Sequence, residues 1–446
     1  MVFIGLILVS IFLYIREYRI SALIIFFFFL TSGFNLVPEE VTELTTGFSK
    51  AADYAFFILL GIITIDSIYN NRFLRNDEFT KYLFLFYGFL ACCILYSKFS
   101  VGLSWSEIIR TSRYLFFWMA YYVFRKMERE ELELLLKSLF TITIVLSVLY
   151  LLQIIIGSHI LVEHAFSTSQ IFGFEIMRFY NQPDMLNFFV FVSIFANPYK
   201  GLWKVFSQFI LVTALLVAFH RSLIGSFLIA LAIGYFVKLS QLKKIRILAV
   251  AFFLVLCTIV FFGKRITQSR TYIDLSTVVA GNITEVDIDI EELANSTFTF
   301  RIAHLFERIT YLTENPSARI FGAGLIPEDS KKVGQLFDFE VGLLEELTGA
   351  TVQLETSDIS YSVLFIRLGY VGTFLNLLLF IYLGIFFYKK KNDNLGFSIF
   401  LYLILTFGVS FFSGNLLAPI TFVLPLLTYN ILKKKEEFNS EKTIEA

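Results

Sequence analysis

Apolar runs of about 17–25 residues, each long enough to cross a bilayer as a helix, follow one another through most of this chain. A segment in lipid must satisfy its own backbone hydrogen bonds, so it is either a helix or a strand of a closed barrel. Ten-residue segments of alternating hydropathy are absent, which excludes the barrel. Runs fall at 1–15, 20–37, 51–69, 82–97, 108–124, 138–157, 184–197, 203–219, 221–238, 247–263, 359–388, 395–413 and 417–432. The fold class expected is an all-α polytopic membrane protein of about 12–13 transmembrane helices. Composition agrees, since 57% of residues are hydrophobic and the mean hydropathy is +0.72, against about 45–50% apolar content in soluble domains. Met1 to Tyr14 opens directly on apolar residues, with no basic leader and no small-residue cleavage site before Arg16 and Arg19, and reads as a retained first span.

Basic residues orient the spans. Arg16/Arg19, Arg72/Arg75/Lys81, Arg125/Lys126/Arg129, Lys200/Lys204, Lys243/Lys244/Arg246, Lys389–Lys391 and Lys433–Lys435 occupy every second loop, which by the positive-inside rule makes those loops cytoplasmic. The expected layout is a membrane domain of about ten helices over 1–263, one large extracytoplasmic loop over 264–358, three further spans over 359–432 and a cytoplasmic tail over 433–446. The localisation expected is the cytoplasmic (inner) membrane, multi-pass, with the bilayer itself as a partner. The mixed-charge, Leu-rich stretch Arg125–Lys137 reads as a solvated amphipathic helix.

Several function classes drop out. A formal net charge of zero and the lack of basic runs interleaved with aromatics argue against nucleic acid. Cys92, Cys93 and Cys257 sit inside apolar runs, and His159, His164, His220 and His304 have no ligand spacing, so neither a disulfide framework, a metal site nor any cofactor is expected. No period of 20–50 residues recurs and the halves show no similarity of the kind many carriers carry.

The loop from Lys264 to Asp358 is the one long polar segment, with sixteen acidic against eight basic residues. Within it Phe298, Ile302, Leu305, Ile309 and Leu312 draw one apolar stripe over about Ser296–Glu314, ended by Asn315-Pro316. Arg301, His304, Arg308 and Tyr311 form a polar stripe beside it. Gly322 and Gly324 make only a G-x-G with no preceding strand, so no dinucleotide fingerprint is present.

Chemistry-bearing candidates lie at the edges of spans. Arg221, in the tight turn His220-Arg221-Ser222, points into protein or a water-filled cavity, or else snorkels as an interfacial anchor. Arg301 and Arg308, with Arg178 in the stretch Arg178–Pro183, offer planar forks suited to phosphate oxygens; the competing reading pairs them with the loop's surplus carboxylates. Arg110 and Arg113 are weaker candidates of the same type. Asp358, ahead of Ile359-Ser360-Tyr361, is either a helix cap or a base that takes a proton from a sugar hydroxyl. Arg367, in an apolar run, needs a partner that the sequence does not identify.

Four stretches together resemble the O-antigen polymerase and O-antigen ligase superfamily of bacterial envelope polysaccharide assembly. Arg178 to Pro183 is similar to its R-x-x-(G/N)-x-P stretch, and Arg221-Ser222 with Leu223 to Phe236 to its S-R-x-x-hydrophobic turn, with Ser and Arg exchanged. Arg301, Pro316 and Gly322-Ala323-Gly324 match its R…P…G-x-G loop, with Leu305 where Trp is common. Asp358 and Gly369-Tyr370-Val371-Gly372 match its (H/D)-N-x-Y…G-x-x-G motif, with Ile359 for Asn. The resemblance covers about the C-terminal two-thirds. It implies metal-independent glycosyl transfer at the outer face of the membrane from an undecaprenyl-diphosphate-linked oligosaccharide, with Asp358, Arg221 and Arg301 catalytic. Arg178, His220, His304, Arg308, Tyr361 and Arg113 are the expected diphosphate or substrate contacts. Asp358 in place of the ligases' His favours polymerisation of repeat units into O-antigen, capsule or exopolysaccharide. A ligase and, in another class, a lipid-linked oligosaccharide flippase are the alternatives, and a chain-length regulator is left open as a partner.

Overall fold

The computed structural model describes residues 2–38, 41, 50–69, 77–162, 166–171, 174–218, 220–238, 297–337, 339, 341, 343–344, 351–354 and 359–445. Its helices fall where the apolar runs do: α1 (Val2–Ile15), α2 (Arg19–Leu30), α3 (Ala51–Tyr69), α4 (Glu78–Phe99), α5 (Trp105–Ser112), α6 (Ala120–Lys126), α7 (Arg129–Ile156), α8 (Leu186–Phe195), α9 (Gly201–Val217) and α10 (Arg221–Lys238). The polar loop contributes α11 (Thr297–Glu314), α12 (Pro316–Phe321) and α13 (Val333–Leu336), and the chain ends with α14 (Ser360–Lys389), α15 (Asn394–Val409) and α16 (Ile420–Glu445). The run at 247–263 lies outside the described residues. Among the described residues four helices are long and apolar enough to cross a membrane, at Ala51–Ile68, Glu78–Phe99, Arg129–Ile156 and Ser360–Lys389, and several shorter helices are apolar.

Two short antiparallel ribbons interrupt the helices: β1 (Phe166–Ile171) with β2 (Phe174–Phe179), and β3 (Leu343–Leu344) with β4 (Thr351–Val352). Beside the first, Gln153 Nε2 donates to Asn181 Oδ1 at 2.6 Å, and Asn181 Nδ2 to the Val162 carbonyl at 2.7 Å. Buried amides thus tie the Arg178–Pro183 stretch to α7.

The span expected at 108–124 is composite, with a 3₁₀ stretch, Arg113–Met119, between α5 and α6. Two ion pairs hold it to α3: Arg113 meets Asp53 at 2.7 Å and Lys126 meets Asp66 at 3.1 Å. Asp53 and Asp66 are thirteen residues apart, as are Arg113 and Lys126, so the two segments run parallel in matched register. A buried pair fixes such a register, because a slip strands a charge away from water.

Two expectations change. Arg125–Lys137 is not a solvated amphipathic helix of its own: α7 begins at Arg129 and buries Leu132, Leu135 and Leu136. α16 continues as helix through Lys433 to Glu445, with Lys435 paired to Asp393 at 2.6 Å and Lys390 to Glu436. The span at 359–388 is broken at Gly369, whose φ of 65° and ψ of −171° interrupt α14.

α10 and α15 pack antiparallel, with Gly234 against Leu401 and Phe397 near one end and Gly408 against Ser226 near the other. The start of α10 is thereby brought to the end of α15. The turn after α15 caps α14 in its turn, since Ser360 N donates to the carbonyls of Ser410 at 3.1 Å and Ser413 at 3.0 Å.

Candidate functional site

α11 runs from Thr297 to Glu314 and ends where Asn315-Pro316 places its stop, and Pro316 opens a further short helix, α12, with Asn315 at its N-cap. The buried face is not the one its hydropathy suggests. His304 and Arg308 are fully buried, with Ala303 and Leu312, while Ile302, Leu305 and Ile309 are only half-buried. From the polar stripe His304 and Arg308 face inward, and each meets a partner there. His304 Nδ1 lies 2.6 Å from Ser362 Oγ on α14. Arg308 donates to Glu307 Oε2 and to the Gln353 carbonyl, both at 2.5 Å, and its guanidinium lies 4.3 Å from the centre of the Phe339 ring. Burial of a guanidinium is sustainable only when paired in this way.

Burial, with the Arg308 charge adding to it, pushes His304 down to about 3, so the imidazole is neutral at ordinary pH. Arg308 is lowered to about 10 by burial, against which the Glu307 and Glu328 carboxylates act; it stays cationic. Glu328 accepts the Gln353 and Leu354 backbone N–H groups at 2.6 and 2.7 Å. One carboxylate therefore organises the strand end beneath which Arg308 lies.

α12 docks on the break in α14. Gly322 and Gly369 both have positive φ, 66° and 65°, and approach so closely that a Cβ on Gly369 would lie 2.5 Å from the Ile320 carbonyl oxygen and 2.7 Å from Gly322 N. The Ile366 carbonyl, left without its helical donor by the break, accepts Ala323 N–H at 2.6 Å. Arg367 sits two residues before the break beside a cavity of about 40 Å³ lined by Thr111, Tyr114, Leu325 and Leu417.

Arg301 is half-exposed at the rim, its guanidinium 5.7 Å from the centre of the Phe412 ring, in the turn that follows α15. His220 heads α10 and stands edge-on to Tyr180 at 5.6 Å. Arg221 begins α10, five residues before the Ser226 that meets Gly408, or about 7.5 Å of helix. The backbone therefore gathers the heads of α10 and α14, the end of α15 and the rim of α11 at one end of the bundle.

Other candidates fare differently. Asp358 lies outside the described residues, as do the side chains of Arg178 and Arg221. The N-cap of α14 is Ile359. Arg113 is committed to Asp53 in the interior, and Arg110 is paired with Asp329 of the loop, as the carboxylate-pairing reading expects. Tyr361 turns toward α15: its hydroxyl donates to the Phe407 carbonyl at 3.3 Å and its ring lies on Phe411. Sequence reasoning missed Ser362, Glu328, Gln353 and Asp53. Only Glu328, next to Pro327 in a glycine-containing loop, left any signal.

No family model matches the chain, and neither a curated protein nor a solved structure matches it.

Proposed function

We propose that this chain polymerises undecaprenyl-diphosphate-linked oligosaccharide repeat units at the outer face of the cytoplasmic membrane. The observation that carries the reading is the gathering of Arg301, the His220-Arg221 turn and the head of α14 at one end of an apolar bundle. Those elements come from three distant parts of the sequence, and they are the parts that carry the family resemblance. In such a transfer the anomeric carbon loses its diphosphate and gains the hydroxyl oxygen of the acceptor sugar, whose proton departs. Charge grows on the leaving diphosphate, and a guanidinium fixed in place stabilises it most in the transition state. Arg301 and Arg221 have that role here, Asp358 takes the acceptor proton, and His304 and Arg308, both buried, position α11. The large loop is on the outer side in this reading. A cysteine replacing exposed Lys331 is then labelled by an impermeant reagent from outside, and one replacing Phe438 is not.

The test is analysis of lipid-linked glycans in a strain lacking the gene. Accumulation of single lipid-linked repeat units supports a polymerase. Polymer of normal length retained on its lipid carrier identifies a ligase instead, and accumulation on the cytoplasmic side identifies a flippase.

A further inference from the structure

On the flank of the bundle, α4 and the composite span α5–α6 enclose a half-open groove of about 220 Å³, lined by Phe84, Tyr87, Ala91, Ile94, Phe116 and Met119. Its lining on α4 recurs at spacings of three, four and three, and the next step of four reaches Lys98, so one helix face runs from apolar groove to cation. Tyr87 adds no free polarity, since its hydroxyl donates to the carbonyls of Leu115 and Phe116, both at 3.3 Å. Tyr87 and Phe116 stack at 5.7 Å and 14° and make one flat wall. At the loop-bearing end Lys98 donates to the Leu103 carbonyl at 3.0 Å, lies 5.5 Å from the centre of the half-exposed Trp105 ring, and makes no ion pair among the described residues. The groove is also linked to the site, because the other side of α4 holds α12 through Tyr96 and Phe89, stacked on Phe321 at 4.9 and 5.8 Å.

We infer that this groove seats the isoprenoid tail of a phosphate-bearing lipid whose headgroup meets Lys98. An apolar groove with a cation and a half-exposed Trp one helical turn beyond its lining is complementary to a lipid with one anionic end. The flat aromatic wall suits the planar, methyl-bearing units of an isoprenoid. A polymerase handles two lipid-linked glycans at once, and on the reading above, on which only this role rests, the groove holds the acceptor's carrier while Arg301 faces the donor's diphosphate.

The test uses the full-length protein in native membranes, with the photoreactive p-benzoylphenylalanine replacing either Phe84 in the groove or Phe209 on α9, both exposed to the apolar surroundings. The lipid probe is radiolabelled undecaprenyl diphosphate. Capture at position 84 several-fold above that at 209, falling about tenfold when Lys98 is also changed to Gln, supports the assignment. Equal capture at the two positions, capture of ordinary phospholipid alone at 84, or capture indifferent to Lys98→Gln overturns it. Specific capture in a protein whose deletion leaves polymer intact keeps the groove and removes the polymerase reading. Loss of polymer on deletion with only phospholipid captured does the reverse.

Discussion

Gly322 and Gly369 meet back to back: each has a positive φ, and each occupies the space that a side chain on the other would need. The contact joins the polar loop to the broken helix α14 at the turn where Arg367 emerges. Replacing either glycine by Ala forces a side chain into a positive-φ, extended-ψ backbone that is essentially glycine-only, costing about 1–3 kcal/mol, with a clash against backbone that has no rotamer to escape into. Thermal unfolding in detergent is expected to drop by several degrees for Gly322→Ala and Gly369→Ala. Gly334→Ala, with no atom near its added methyl, leaves it unchanged.

Arg113 and Asp53 are both almost fully buried, and removing one strands the other's charge at a cost of about 3–5 kcal/mol. Arg113→Leu is therefore expected to destabilise the protein strongly, and the double variant Arg113→Leu/Asp53→Leu to recover most of that loss. Recovery of folding together with polymer formation returns Arg113 to a structural role. Recovery of folding without activity makes it a substrate contact.

The buried imidazole of His304 gives a pH dependence of definite sign. Its folded value is about 3, below the roughly 6.5 of an unfolded histidine. Between those values the unfolded state binds more protons, so the docking of α11 on Ser362 is complete above about pH 6.5 and weakens as pH falls towards 3. Hydrogen exchange of α11 amides at a series of pH values reads this directly. His304→Asn is expected to flatten the profile, and an unchanged profile in that variant assigns the pH dependence to other groups.

Much of the architecture is legible in apolar length, which located α1 to α4, α7 to α10 and α14 to α16 and read the composite α5–α6 as one span, while Asn315-Pro316 located the end of α11. The inward face of α11 was not, because hydropathy treats His304 and Arg308 as solvated, whereas Ser362, Gln353 and Phe339 supply their partners from positions far along the chain. The break at Gly369 was hidden for a similar reason. Glycine is common in apolar helices, and only the approach of Gly322 distinguishes this one. The pairing of Arg113 with Asp53 needed the parallel register of two spans, which no local pattern encodes. Of the site, the arginine-bearing stretches were visible in order of sequence, but their assembly at one end depends on α10 and α15 packing antiparallel.

The central proposal is that Arg301 stabilises a leaving diphosphate in chain elongation. The direct measurement is elongation of purified undecaprenyl-diphosphate-linked repeat units by purified protein, with chain length and released undecaprenyl diphosphate read together. Wild-type protein is expected to give a ladder of products, with one diphosphate released per linkage. Arg301→Lys, which keeps the charge and loses the planar fork, is expected to slow elongation about 10²-fold with unchanged thermal stability. Elongation by Arg301→Lys at the wild-type rate, or no elongation by stable wild-type protein supplied with its own strain's repeat units, contradicts it.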